Sequence, residues 1–547
     1  MFQFFRAKAG SNKVQFRVMK KIFVFAALAI VAVQSKAQKA ATLDTYIGAQ
    51  LATEDLNGTA RYVGMGGAME ALGADISTIG TNPAGIGLFR RNQLSGSFGL
   101  VIQPDGKSFG DGSKTSASFD QLGFVYSQRT GRSSFINMAF NYHKSRNFNH
   151  VLSAANAAIN GSSQNRQTTI KAINGDLDTR YGENVVDNLY LESRMIEDKN
   201  QTVYTVDAED YTFNRAQTGY IGEYDLNLSG NINNRVYLGL TVGFKDVHYD
   251  GYTVYDEALV SYSIPSYDYV KLTDHHKITG TGFDFKAGVI VRPIEESPFR
   301  VGLSIATPTF YKLTTSNFSI IDYDAADELY VYHVSMDTND KADFRFNTPW
   351  KFGLSAGHTI NNELALGVSY EYADYSTNDM RLITGAGYDW YGDYYDNSDS
   401  DPLMKEHTKR TLKGVSTIKA GAEYKIDKNV AVRVGYNYVS PMYKTDGVRD
   451  LTLNSPGAYM ASTTDYTNWK STNRITAGVG LTFDQFRIDL AYQYQTRQGD
   501  FYPYMNGLSA QYISDETGKL ETLSNHCNPV TVKDNRHQLL CTLSYSF

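Results

Sequence analysis

Few residues of this sequence stand at the spacing that a chemical site requires. Residues 353–357, Gly-Leu-Ser-Ala-Gly, have the G-x-S-x-G pattern of a nucleophilic serine at Ser355. That pattern needs a turn between a strand and a helix, and here it lies inside a predicted strand. His275 and His276 could ligate haem or a metal from a loop, yet no third ligand is spaced to help them. We therefore predict no catalytic residue, no metal site and no cofactor.

Two further groups of residues do not have the geometry of a site. A predicted loop over residues 378–411 lacks the ordered ligand spacing of a calcium-binding loop, although it is rich in aspartate: Asp389, Asp393, Asp396, Asp399 and Asp401. Cys527 is predicted in the last loop and Cys541 in the last strand near its other end, so a disulfide between them fails on distance. A hydrolase function is also disfavoured, because the sequence shows no catalytic triad that would include Ser355.

From residue 92 to residue 547 the sequence repeatedly alternates apolar and polar residues with period two. In residues 236–244, for example, Leu238 and Leu240 share one face, and Gly239 and Thr241 share the other. Successive side chains of a strand point to opposite faces, so each such run predicts a strand with one apolar and one polar side. The runs number about fourteen, and their centres are Phe98, Phe124, Ala139, Leu226, Leu240, Ala287, Ile305, Leu354, Val368, Ala420, Val434, Val479, Leu490 and Leu543.

A soluble sandwich and a transmembrane barrel both show this alternation, and the connections favour the barrel. Long polar loops alternate with short turns, which is typical of outer-membrane barrels. The short turns are predicted at 129–133, 231–235, 293–297, 360–363, 426–429 and 483–485. Tyr and Phe cluster near strand ends, as a membrane-interface girdle requires. The fold class predicted is therefore all-β: an antiparallel transmembrane β-barrel of about 14 strands, whose last strand pairs with the first.

The barrel predicts which side chains face the lumen and which face lipid, because charge is unfavourable on the lipid face. The predicted inward residues are Lys245, Glu371, Arg433, Arg487 and Asp489. The predicted outward residues are Leu240, Val368, Val432, Ile488 and Leu490. In the longest loop, residues 151–159 and 184–196 look helical and suggest a cap over the pore, with a polar loop without fixed structure as the alternative.

The first 90 residues have a different character. Met19-Lys20-Lys21 and the apolar run 22–33 predict a signal peptide over 1–37, with Met19 as the true start and export to the outer membrane of a Gram-negative bacterium. Residues 38–90 are rich in Gly and Ala and lack strand alternation, so we predict a lumen plug of short helical turns, followed by the barrel over 91–547. The alternative is an N-terminal arm on the surface. Small residues such as Gly64 and Gly66 predict a plug held mostly by hydrogen bonds and close packing.

Residues 64–89, GMGGAMEALGADISTIGTNPAGIGLF, and the hairpins at 280–313 and 347–376 together resemble the FadL/TodX family of outer-membrane transporters for hydrophobic compounds. The hallmark of that family's N-terminal hatch is Asn-Pro-Ala. On this resemblance Asn82, Pro83, Ala84 and Gly85 are the plug motif, while the ligand-binding residues stay unknown.

The resemblance implies uptake of long-chain fatty acids or other apolar molecules without direct energy coupling. It implies a hydrophobic small-molecule ligand and outer-membrane lipid as partners. The weakly acidic chain, with a formal net charge of −6, gives no support for nucleic acid. In the family the ligand leaves through a lateral gap at a kink in the third strand, but residues 133–144 have no Gly or Pro to mark one. The alternatives left open are a barrel that docks other envelope proteins, as in secretion, and a haem receptor.

Overall fold

The structure is a computed structural model that describes residues 41–193, 207–260, 269–326, 331–388, 390, 394–514 and 517–547. The predicted signal peptide, residues 1–37, lies outside the described residues, as do Asp389 and Asp393. Within the described residues, no helix has the length and apolar character needed to cross a membrane.

Most of the described chain is extended. The strands are β1 Gln93–Ile102, β2 Thr115–Arg129, β3 Phe135–Asn147, β4 His150–Asn156, β5 Asp207–Ile232, β6 Val236–Val260, β7 Tyr269–Val291, β8 Arg300–Ala306, β9 Phe310–Ala326, β10 Val331–Asn347, β11 Lys351–Ile360, β12 Leu364–Asp374, β13 Asp379–Tyr388, β14 Tyr394–Ser400, β15 Gly414–Lys425, β16 Val430–Val439, β17 Tyr466–Phe483, β18 Phe486–Tyr502, β19 Leu508–Ile513, β20 Leu520–Asn525 and β21 Val530–Ser546.

The helices are short. They are α1 Thr45–Ala52, α2 Ala60–Gly64, α3 Gln164–Ile173, α4 Val185–Glu192, α5 Pro402–Thr411 and α6 Pro456–Tyr459. Three 3₁₀ turns span Ile76–Gly80, Pro83–Leu88 and Tyr375–Thr377. The helix predicted over residues 151–159 is wrong. Most of these residues form β4, which pairs with β5. Within 184–196 the helix prediction is confirmed for α4, and residues 194–196 lie outside the described chain.

Fourteen strand positions close into a barrel. Each wall strand is antiparallel to both neighbours, in the order β1, β2, β3, β5, β6, β7, β8, β11, β12, β15, β16, β17, β18, β21 and back to β1. Leu543 of β21 lies opposite Gly96 of β1, which closes the wall as predicted. Each predicted strand centre lies in a different wall strand, and the predicted fold class is confirmed.

The six short turns all lie at one end of the barrel, as predicted. They follow the second, fourth, sixth, eighth, tenth and twelfth strands of the wall order, and all of these strands run in the same direction. We call this the turn end and the opposite one the loop end. Asn233 and Asn234 both have positive φ, and so do Asn361 and Asn362. Positive φ at both central residues is the type I′ geometry that matches the twist of paired strands, and Asn tolerates it well.

The two faces of the wall also follow the prediction. Leu240 is 62% exposed on the outer face, whereas Arg433 is 2% exposed on the inner face. The other predicted inward charges are buried or half-buried, and the other predicted outward residues are half-buried or exposed. The wall is uneven in height, because β5 and β6 have 26 and 25 residues. At about 3.3 Å per residue they rise far beyond an apolar band of about 25 Å.

Candidate functional site

Residues 41–90 run through the lumen. α2 contacts β16, β17, β18 and β21 on one side of the wall, and the turn Pro83–Leu88 contacts β3, β5, β6 and β7 on the other. The chain then enters β1 at the turn end, where Asn92 exchanges backbone hydrogen bonds with Phe547. A surface arm does not contact opposite sides of a barrel, so this geometry disagrees with that alternative.

The Asn-Pro-Ala-Gly motif begins one 3₁₀ turn and lies against the inner wall. Asn82 caps the turn by accepting the backbone N–H of Ala84 at 3.2 Å, and Pro83 fills the first turn position, where its missing N–H costs nothing. The Ser229 hydroxyl of β5 donates to the Pro83 carbonyl at 2.9 Å. Gly85 donates to the carbonyl of Asn82 at 2.9 Å.

Wall glycines make room for this motif. A Cβ on Gly239 of β6 would lie 2.3 Å from the carbonyl carbon of Pro83, and a Cβ on Gly288 of β7 would lie 2.0 Å from the Asn82 side-chain oxygen. Elsewhere Gly66, with φ of +64°, lies against the backbone of Tyr436. Small residues thus set the approach of this segment to the wall, as the sequence predicted.

Ion pairs from the lumen segment to four wall residues and to Arg449, in the loop between β16 and β17, were missed by the sequence prediction. They join Asp44 to Arg449 at 2.7 Å, Glu54 to Lys351 at 2.7 Å, Asp55 to Arg146 at 2.9 Å, Arg61 to Glu423 at 2.9 Å and Glu70 to Lys419 at 2.8 Å. The expectation that hydrogen bonds and close packing hold the segment is therefore incomplete. Ion pairs also hold it, at several points between Asp44 and Glu70. Each strand alone shows only a polar inner face, so the pairs could not be read from the sequence.

A cavity of about 260 Å³ lies between this segment and the wall. Part of its lining is apolar, with Phe148, Tyr375, Val415, Val439 and Trp469. Nine Lys and Arg but only five Asp and Glu also line it, so it carries excess positive charge. An apolar wall beside a few convergent charged groups is the usual composition of a ligand site.

The positive charge concentrates at four arginines on β3, β17, β18 and β21. Three have carboxylate partners: Arg146 pairs with Asp55, and Arg497 and Arg536 share Asp534 at 2.8 and 3.2 Å. Arg474 differs. It donates to the side-chain oxygens of Gln495 at 2.8 Å and Asn437 at 2.9 Å, and among the described residues no carboxylate lies within 4.0 Å of it.

Arg474 is 7% exposed, so its charge is buried without an ion pair of its own among the described residues, and Asp55, which is already paired with Arg146, acts on it only from a distance. A buried charge is costly unless it is paired, and an Arg fork fits the two oxygens of a carboxylate. The arrangement can therefore accept an acidic group whose apolar part lies along the aromatic and aliphatic wall. No sequence motif marks Arg474, because its neighbours in space come from four different strands.

The wall is incomplete between β2 and β3 near this cavity. The two strands pair from the turn end up to Gln121 and His143, and beyond that point Thr115–Asp120 has no partner in β3. The register of β3 shifts at Ser145, whose carbonyl instead accepts the backbone N–H of Asp55 at 2.8 Å. The pairing with β2 thus ends within residues 133–144 without a Gly or Pro, and the register shift toward β5 lies one residue beyond that stretch.

Asn57 of the lumen segment bridges this gap. Its side-chain amide donates to Asp120 of β2 at 3.0 Å and to the carbonyl of Lys144 of β3 at 3.2 Å. The lumen segment therefore occupies the gap in the wall, next to the cavity.

A second charged cluster lies deeper in the lumen. His143, Glu223 and Asp225 hold their nearest ligand atoms within 4.8 Å of one another. Lys286 contacts both carboxylates, and Lys245 lies 3.0 Å from Glu223. Because ammonium groups already face these carboxylates, the cluster is an ion-pair network.

The chemical candidates of the sequence do not come together. Ser355 lies within β11 and approaches the carbonyl of Gly302 at 3.4 Å, without the elbow a nucleophile needs. His275 and His276 are on β7, not in the predicted loop. They face opposite sides, His275 toward Asp250 at 2.7 Å and His276 toward Thr315 at 2.9 Å.

The aspartates and cysteines are likewise apart. Asp396 pairs with Lys312 at 2.9 Å, and Asp401 caps α5 and accepts the hydroxyl of Thr42 at 2.9 Å. Cys527 is buried and Cys541 exposed, and both are free thiols.

No family model matches the chain, and no curated protein matches it. Solved structures do match. The toluene transporter TodX of Pseudomonas putida is 12% identical, with a TM-score of 0.42 over 90% of this chain and 99% of TodX. A Pseudomonas aeruginosa FadL homologue is 13% identical, with a TM-score of 0.48 over 91% of this chain and 100% of its own. The Ralstonia pickettii toluene transporter TbuX is 12% identical, with a TM-score of 0.42 over 90% and 98%. Two of these structures have the names, TodX and FadL, of the family that the sequence resembles.

Proposed function

We propose that this protein is an outer-membrane transporter that binds hydrophobic small molecules in its lumen and passes them inward without direct energy coupling. The observation that carries the proposal is the cavity between the lumen segment and the wall, with its apolar lining and the unpaired Arg474. These features favour an amphipathic ligand with an acidic head, such as a fatty acid. Two of the matched structures are named as toluene transporters, whose cargo is also a hydrophobic small molecule.

Residues 41–90 act as the plug in this proposal, and Asn82, Pro83, Ala84 and Gly85 hold it to the wall. A lateral exit is supported by the gap between Thr115–Asp120 and β3, which Asn57 and Asp55 now occupy. Displacement of these two residues would open the cavity toward the membrane. Residues 1–37 are proposed as the cleaved signal peptide, and residues 91–547 as the barrel.

The test is binding of laurate and of neutral dodecanol to the full-length protein in lipid nanodiscs. A hydrogen bond to a charged group contributes about 1.5–3 kcal/mol, so Arg474→Met should weaken laurate binding by about 10- to 150-fold and leave dodecanol unchanged. Arg132→Met, in an exposed turn, is the matched control. Equal binding of laurate by Arg474→Met and by the unchanged protein would refute the assignment of the head group. Absence of binding of both ligands would refute the transport proposal.

The haem alternative has little support, because His275 and His276 point to opposite faces of β7 and cannot ligate one iron together. The docking alternative gains no specific observation from the described residues.

A further inference from the structure

Several loops form a cap over the loop end of the cavity. We define the cap as α3, α4, residues 503–506 and the paired strands β19 and β20. The first eight residues of α3 are buried, although most are polar. The side chains of Gln164 in α3 and Thr464 share a hydrogen bond, and the neighbours of Thr464, Thr463 and Asp465, line the cavity. The first turn of α3 is therefore bonded to the segment that forms part of the cavity lining at its loop end.

Glu257 of β6 holds that first turn in place. Its Oε1 accepts the backbone N–H of Gln164 at 2.7 Å and the hydroxyl of Tyr255, whereas its Oε2 has no hydrogen-bond partner. The residue is 1% exposed, and no cation of the described chain lies within 4.0 Å of its carboxylate. Two donors on one oxygen and none on the other suit a neutral carboxylic acid, whose carbonyl oxygen accepts and whose hydroxyl carries the proton.

The groups around Glu257 supply no compensating charge. Tyr211 faces it from β5, and Tyr190 of α4 and Tyr504 of the cap lie near it. Cys527 packs in the same cluster of buried side chains as Tyr255 and Tyr504.

The cations of α3 are already occupied. Lys171 is paired with Asp187, and Arg166 is paired with Asp207. An ionised Glu257 would therefore be buried without a counter-charge, which is costly.

We propose that Glu257 is a proton-operated latch that keeps the cap closed over the cavity. With its proton bound, the residue anchors α3 above the ligand. Once it loses the proton, the buried charge favours release of α3 into water, where the carboxylate is hydrated. The inference rests on the proposed function in one respect: opening of the cap affects uptake only if the cavity binds a ligand.

The direction of the pH effect follows from the burial of the residue. After Phe244 the next three outward side chains of β6 are Asp246, His248 and Asp250, so Glu257, further along the same strand, lies past the apolar band of the barrel. Burial raises the pKa of Glu257 from 4.5 to about 7. The closed cap thus binds the proton more tightly than the open one, and closure is strongest below about pH 4.5. Each unit of pH from there to about 7 should lower the closed-to-open ratio by up to tenfold.

Cys527 reports cap opening directly, because it is buried with the cap and the chain has only two cysteines. In a Cys541→Ser background, reconstituted in vesicles, the rate of Cys527 labelling by a membrane-impermeant maleimide is measured with and without Glu257→Gln. Comparison at the same pH cancels the intrinsic pH dependence of the thiol. We expect the Glu257 protein to be labelled no more than about fourfold faster than Glu257→Gln at pH 5, and well over tenfold faster at pH 8. A ratio that does not change with pH overturns the latch.

Two further variants guard this test. Glu209→Gln, on an exposed position of β5, removes one carboxylate outside the latch and should not change the pH response. If Glu257→Gln does not fold, Tyr255→Phe takes its place, because loss of the donated hydrogen bond should move the labelling midpoint to higher pH. An unmoved midpoint overturns the latch. Laurate binding with no pH response refutes the latch alone, and a pH response without laurate binding refutes the proposed function alone.

Discussion

The glycine at position 239 offers the sharpest test of how the plug motif packs. Gly239→Ala would place a Cβ 2.3 Å from the Pro83 carbonyl carbon and 2.5 Å from the Ala84 nitrogen. These are backbone atoms and cannot rotate away, so the motif must retreat by about 1 Å to reach ordinary contact. Overpacking of this kind costs about 1–3 kcal/mol. Because about 1.4 kcal/mol is a factor of ten, the docked state of the plug should weaken about 5- to 150-fold.

The assay is limited proteolysis of the purified protein together with single-channel conductance in planar bilayers. Gly239→Ala should expose residues 41–90 to protease and raise the leak of small ions, while heat-modifiability shows an intact barrel. Gly230→Ala on the adjacent strand is the matched control, because the nearest atom to its new Cβ is 3.9 Å away. If Gly239→Ala behaves like Gly230→Ala in both assays, the motif does not pack against β6 and the reasoning fails.

Three other substitutions test the lipid face, the motif and the ion pairs. Leu240→Arg should cost about 2–4 kcal/mol at the lipid face and impair assembly by heat-modifiability, whereas Ile294→Arg in an exposed turn should assemble normally; equal assembly would contradict the face assignment. Asn82→Leu removes the cap of its turn and should loosen the plug by about 1–3 kcal/mol, seen as faster proteolysis than in the unchanged protein. Glu423→Gln removes the carboxylate partner of Arg61, whereas Arg433 keeps Asp489 at 2.8 Å, so the plug–wall contact should lose at most about 3–5 kcal/mol. The loss should appear as a lower unfolding temperature, and an unchanged temperature would show that the pair adds nothing.

Much of the barrel could be predicted because its determinants are local. Alternation within one strand decides the face of Leu240 or Arg433, and Asn-Asn pairs such as Asn361 and Asn362 decide a tight turn. The helical prediction for 151–159 failed because small and apolar residues suit either conformation, and pairing with β5 decided in favour of the strand.

The site was far less predictable, because it depends on which strands meet across the lumen. Arg474 looks like any inward charge until Gln495, Asn437 and the other arginines are placed around it. From the sequence, Gly239 is one more small residue on the polar face of its strand. Its contact with Pro83 could not be predicted, since the plug backbone comes from a segment about 150 residues earlier in the chain.

The most direct measurement is a structure of the full-length protein with a terminally brominated fatty acid, located by the anomalous signal of bromine. We expect the bromine among Phe148, Tyr375 and Val439 in the lumen, and the carboxylate at hydrogen-bonding distance from Arg474. A fatty acid found only on the lipid-facing wall at saturating concentration, with an empty lumen, would contradict the account.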